Sequence, residues 1–227
     1  MNAILYPLLA AAYAALLGSG IAVRRRGAPA GLSLMLLAVT AALLWDNLVL
    51  AAGAWLEAGE GFERAHLSRF WLHACVTPLL VPVSLALVRQ TGAAWAGRAS
   101  AVLSALAVTI GLIVLEIAAS ASRVRLKPVF DHGILTYEPA GRSAAGGVMI
   151  AAVMAALLAA GWIVFRRGGP SALLAGLLVM LIGGALSPLA GIPSLHNLLE
   201  FVLMASLWIT ADRLAERARR GFPRTGG

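Results

Sequence analysis

Seven times along the chain, about twenty residues pass with almost no charge. The runs are Ile4–Val23, Gly31–Leu56, Phe70–Val88, Ala99–Ala121, Ala144–Phe165, Ser171–Leu189 and Leu195–Ala211. A helix needs ~20 apolar residues in a row to cross the hydrocarbon core of a bilayer. Lipid offers no partner for backbone N–H and C=O groups, so each run must satisfy them internally, which predicts a helix. The 227 residues are 60% hydrophobic and 12% charged, whereas a soluble domain carries roughly 25% charged residues. A water-soluble fold is therefore excluded. The expectation is an all-α, polytopic membrane protein: one domain over residues 1–227, folded as a seven-transmembrane-helix bundle.

The net charge of +8 invites a nucleic-acid reading, and the placement of the charges removes it. Arg24, Arg25, Arg26, Arg89, Arg98, Arg166, Arg167, Arg213, Arg217, Arg219, Arg220 and Arg224 fall on one side of the predicted spans. Arg64, Arg69, Arg123, Arg125, Lys127 and Arg142 fall on the other. Twelve against six marks the first side as cytoplasmic. The amino terminus is then outside and the carboxyl terminus inside, which requires an odd number of spans. The basic tail, residues 212–227, is expected to rest on anionic lipid headgroups of the cell inner (plasma) membrane. The first run lacks the basic start of a signal peptide. The single cysteine, Cys75, forms no disulfide within the chain.

Two connections are long. Glu57–Arg69, with Glu57, Glu60, Glu63 and His66, reads as a solvated loop. Ser122–Ser143 contains a roughly alternating stretch, Val124–Phe130, then Asp131-His132-Gly133 as a turn and Ile134–Tyr137 as a β-prone segment. This predicts a small extracellular β-hairpin capping the bundle. Gly168, Gly169 and Pro170, and later Pro188, Gly191 and Pro193, punctuate the last connections. The Gly183–Gly184 pair predicts a close helix approach. No internal repeat signals an inverted-repeat transporter.

Ionisable residues inside spans are costly, and each marks a candidate site. Span direction converts position into depth. Asp46 and Asn47 fall in the outer half of the second span and His73 about one turn into the third. Glu116 lies near the outer end of the fourth, and His196, Asn197 and Glu200 in the first two turns of the seventh. Four helices thus carry polar groups at one depth. His196 and Glu200 are four apart and share a face, as do Arg69 and His73. The candidate catalytic residues are Asp46, His73, Glu116 and Glu200. The candidate substrate-binding residues are Trp45, Asn47, Arg69, Trp71, His196 and Asn197, with Phe70 as a further aromatic wall. Plainer roles compete: Trp45, Trp71 and Trp208 also fit packing or belt positions, Arg69 an interfacial anchor, His73 a helix–helix hydrogen bond, and Asp46 with Asn47 a helix-packing pair. Asp212 is expected to pair with nearby arginines.

Three chemistries fit. Asp46 and Glu200 suit an acid and a base, with aromatic faces stabilising a cation. His73, His196 and Glu200 are candidate metal ligands, so the cofactor reads as none or a divalent metal. A proton or ion relay is the third, opposed by the near absence of charge in the inner halves. Lys127, the only lysine, lies in a loop, which excludes a retinal Schiff base.

The stretch Trp45-Asp46-Asn47-Leu48 through Gly53, then Gly59-Glu60-Gly61, Ser68-Arg69-Phe70-Trp71-Leu72-His73 and Thr77-Pro78-Leu79, together with Asn197…Glu200, resembles a bacterial family of small seven-helix membrane proteins labelled phospholipid phosphatase. Pro193-Ser194-Leu195-His196 and Ser68-Arg69…His73 are similar to the Pro-Ser-Gly-His and Ser-Arg-x5-His motifs of type-2 phosphatidic-acid phosphatases. Here Leu195 holds the glycine position, three residues separate Arg69 from His73, the order is reversed, and the lysine motif is missing. By helix number, Asp46 and Glu200 also resemble the acidic pair of small seven-helix membrane terpene cyclases, an analogy of fold. The resemblances imply a membrane enzyme that hydrolyses or cyclises a lipid or isoprenoid. The alternative is a non-enzymatic transporter or a lipid-binding or sensing protein.

Overall fold

The computed structural model describes residues 2–122, 124–141, 144–190 and 194–221. Gly191, Pro193, Arg123, Arg142 and Arg224 lie outside the described residues. The chain is mostly helical: α1 (Asn2–Arg25), α2 (Ala30–Ala52), α3 (Glu60–Val76), α4 (Leu80–Gln90), α5 (Ala99–Glu116), then strands β1 (Leu126–Asp131) and β2 (Ile134–Pro139), then α6 (Ala144–Arg166), α7 (Ala172–Ala190) and α8 (Ser194–Arg219). Among the described residues, five helical stretches are long and apolar enough to cross a membrane, with α3 and α4 counted as one course. The outward faces are apolar too: Leu103, Leu106, Ile110 and Val114 of α5, and Leu178, Ile182 and Leu186 of α7, are exposed. Water disfavours such faces and hydrocarbon accepts them, so the chain is a multi-pass membrane protein.

The loop expected over Glu57–Arg69 is corrected. Helix begins at Glu60, ten residues before the predicted span. Gly59 is extended at the cap, and its carbonyl accepts from the Glu63 N–H at 3.0 Å. Glu60 and Glu63 occupy the first turn, where carboxylates favour the positive end of the helix dipole. His66, read as solvated, is fully buried. A 3-10 turn at Thr77–Leu79 separates α3 from α4. Pro78, within it, has no N–H to continue the α-helical ladder.

The expected hairpin forms. β1 and β2 pair antiparallel, from Leu126 opposite Pro139 to Asp131 opposite Ile134. The two turn residues, His132 and Gly133, have φ of 46° and 85°, the positive pair that a tight turn between right-twisted strands requires. The hairpin is docked, not dangling. Ile134 packs with Tyr6, Leu50 and Ala51, while Leu135 and Tyr137 pack with Val49 and Phe62. The Leu135 N–H donates to the Gly53 carbonyl at 2.8 Å. A Cβ on Gly53 would stand 1.9 Å from the Leu135 carbonyl oxygen. Gly53→Ala is therefore expected to cost about 1–3 kcal/mol, the usual range for overpacking. The checks are a lowered unfolding midpoint and faster amide exchange at Leu135.

In the bundle, α1 packs along α2 and α8, α7 along α8, and α4 along α6. Small residues set these distances: a Cβ on Gly20 would stand 2.5 Å from Trp208, and one on Gly183 would stand 2.5 Å from Leu199. Gly184 faces open space, so only the first glycine of that pair serves the approach. Trp208 also donates its indole N–H to the Thr40 hydroxyl at 3.0 Å. At the end away from the hairpin, Asp212 pairs with Arg26 at 3.0 Å, and Arg217 donates to the Gly168 carbonyl. α7 continues past Pro188 to Ala190.

Candidate functional site

At the hairpin end, α2, α3 and α8 bring together polar residues that the sequence spreads from Asp46 to Glu200. Asp46, in the last two turns of α2, is buried and accepts at both carboxylate oxygens. Arg69 Nε donates to Oδ1 at 2.7 Å, and Asn197 Nδ2 donates to Oδ2 at 3.2 Å. Asn197 Nδ2 also lies 3.5 Å from Asn47 Oδ1, and Asn47 Nδ2 donates back to the Leu43 carbonyl at 2.8 Å. One carboxylate thus ties three helices together.

Arg69 is held from a second side. Its Nη1 donates to His66 Nδ1 at 2.9 Å. A guanidinium has no acceptor, so Nδ1 offers its lone pair and the ring proton sits on Nε2. That Nε2 is buried and meets no hydrogen-bond partner among the described residues. The ring is clamped edge-on by Phe62, with centroids 4.6 Å apart, and tilted against Tyr137 at 5.4 Å. Tyr137 in turn accepts from the Gly59 N–H at 3.1 Å. The hairpin therefore braces the arginine through His66. The sequence reading missed His66; its signal is the i, i+3 spacing to Arg69, which places both on one side of a helix.

A second group lies beside the first. Glu200 Oε1 stands 3.4 Å from His196 Nε2 and 3.9 Å from His73 Nε2. The His196 contact follows from their i, i+4 spacing on α8, and the His73 contact joins α3 to α8. Because Nε2 of each ring is turned to the carboxylate, Nδ1 is the nitrogen left for other chemistry. Among the described residues, no group of three or more His, Cys, Asp or Glu side chains is placed to hold a metal ion.

Asp46, Arg69, Phe70, His73, Glu116, His196, Asn197 and Glu200 all line one cavity of about 800 Å3. Glu116 reaches it from the end of α5, just before the π turn Ile117–Ala121. The rest of the wall is apolar, with Met149, Met154, Met180 and Met204 prominent. Four of the chain's six methionines gather here, giving a surface that adapts its shape to a ligand. Arg125, Ala140 and Gly141, at the base of the hairpin, complete the lining. These contributions also escaped the sequence reading.

Three expected wall residues lie elsewhere. Asn47 is fully buried behind Asp46 and does not line the cavity. Trp45 and Trp71 are exposed and do not line it either. Trp45 instead donates its indole N–H to the Ser68 hydroxyl at 2.8 Å, clipping α2 to α3. Phe70 is the only Phe, Tyr or Trp on the cavity wall among the described residues. The wall expected to be aromatic is made of flexible aliphatic side chains.

No protein-family model, curated protein or solved structure matches the chain.

Proposed function

We propose that the chain is a seven-span enzyme of the plasma (inner) membrane, with its amino terminus outside, that performs acid–base hydrolysis on a lipid or isoprenoid entering from the outer leaflet. The observation that carries this reading is the cavity itself: about 800 Å3, lined by Glu200 and two imidazoles together with four methionines. A polar head and an apolar chain match such a lining. Adding α7 and α8 to the five long apolar stretches supports the seven-span count, and the basic residues around Arg26, Arg89, Arg166 and the tail support the orientation.

In this reading Glu200 holds His73 and His196 as a carboxylate holds the base of a hydrolytic triad. One of these rings takes a proton at Nδ1 from water as the water oxygen bonds to the ester centre. The ester bond to the leaving oxygen then breaks, and that oxygen receives the proton. Arg69 and Asp46 are positioning residues, each engaged with protein partners. His73 and His196, the histidines in the two phosphatase-like segments, are the pair that flanks Glu200. Cyclisation is the less favoured chemistry, because Trp45 and Trp71 are absent from the cavity wall and a carbocation needs aromatic faces.

The test compares total lipids, by untargeted mass spectrometry, from cells expressing the wild type or Glu200→Gln. A wild-type product differing by a water or a lost headgroup supports hydrolysis. An isomer of unchanged mass would move the assignment to cyclisation. Identical lipidomes, with the purified protein also inert on lipid extracts, would favour a binding or transport protein.

A further inference from the structure

Among the carboxylates lining the cavity, Glu116 stands apart. Asp46 is neutralised by Arg69, and Glu200 lies between two imidazoles. Glu116 is buried, 9% exposed, yet its Oε2 has no hydrogen-bond partner among the described residues. Across the α5–α6 seam Gly146 faces it: a Cβ there would stand 3.6 Å from Oε1. The carboxylate is therefore open to whatever fills the cavity. A carboxylate only accepts hydrogen bonds, and one left unpaired among apolar groups is costly. A negative group placed against it would worsen that cost, and a cationic donor would remove it.

We propose that the ligand of this cavity carries a positively charged nitrogen on its headgroup, and that Glu116 pairs with it. The assignment rests on the lipid reading above and adds the headgroup class to it: an aminolipid, with its chains against the methionine wall. The pairing is a charge-assisted hydrogen bond, and its contribution corresponds to about ten- to hundredfold in affinity.

The experiment uses the full chain in micelles on a Glu200→Gln background, so that bound lipid is not consumed. The probes are phosphatidylethanolamine, its N-acetylated counterpart with matched acyl chains, and soluble phosphoethanolamine. Binding of the amine lipid about ten- to hundredfold tighter than the N-acetyl lipid is expected, with the preference falling to near one in Glu116→Gln and surviving in part in Glu116→Asp. Removal of a buried unpaired carboxylate should also raise the unfolding midpoint of the empty Glu116→Gln protein, which shows that a lost preference is not lost folding. Equal binding of both lipids to the Glu116 protein, or a preference that persists in Glu116→Gln, overturns the assignment while leaving the hydrolytic reading intact. Soluble phosphoethanolamine binding as tightly as the lipid would keep the cationic nitrogen and overturn the lipid chain. No binding of any probe by a folded protein would overturn the assignment. The product comparison with Glu200→Gln then decides separately whether the hydrolytic reading stands.

Discussion

Asp46→Leu is expected to destabilise the folded protein by about 3–5 kcal/mol, because it leaves a buried guanidinium without its counter-charge. Both members of the pair are enclosed: the Asp46 side chain is 6% exposed and that of Arg69 16%. The leucine also orphans Asn197, whose amide donates to Asp46 Oδ2. Arg69 keeps one neutral partner, His66, which does not balance its charge. The expected result is a large drop in the unfolding midpoint in micelles. The double variant Asp46→Leu, Arg69→Met separates charge from packing. Replacing a buried pair by apolar groups of similar volume is often neutral, so the second substitution should restore most of the loss. If the single variant unfolds like the wild type, Arg69 reaches water in solution and the buried pair does not exist as described. If the double variant is as unstable as the single, packing around Asp46 and not the unpaired charge is the cause.

That pair illustrates what could be read from the chain before its structure. Asp46 was legible because a carboxylate in an apolar run is costly and so marks either a site or a helix-packing contact, and its depth followed from span direction. The hairpin was legible because Asp131-His132-Gly133 places residues tolerant of positive φ between β-prone segments, and His132 and Gly133 adopt that conformation. His66 was not legible. The charges around it, Glu60, Glu63 and Arg64, look like a solvated loop, and those three are indeed exposed. Only the angular period of a helix separates them from Phe62, His66 and Arg69, and the hydropathy of so mixed a stretch conceals that period. Trp45 and Trp71 failed for a related reason. Neighbours in sequence sit about 100° apart on a helix, so adjacency to a cavity residue does not put Trp45 or Trp71 on the cavity wall. Met149, Met154 and Met180 were illegible as lining because α6 and α7 are apolar on every side, and periodicity carries no information where every position is hydrophobic.

Glu200→Gln is expected to lower turnover by about 10²–10⁴-fold, the usual contribution of a positioned general base or acid, while leaving the helices assembled. Glutamine keeps the shape and one acceptor oxygen. It removes the charge that stabilises an imidazolium and presents an amide where an N–H must be accepted. The loss should therefore appear in kcat, with KM changed less, since the apolar lining that would hold the proposed lipid is untouched. His73 and His196 then divide the role between them. If one ring is the base and the other only shares the carboxylate, His→Ala at the base should match the Glu200→Gln loss, and the other substitution should fall well short of it. Combining Glu200→Gln with the base substitution should add almost nothing, because groups that act as a unit are not additive. Two independent, multiplying losses would mean that His73 and His196 do not work through Glu200. A Glu200→Gln protein that is folded and fully active would remove Glu200 from the chemistry, and its position between two histidines would then be a structural pairing of α3 to α8.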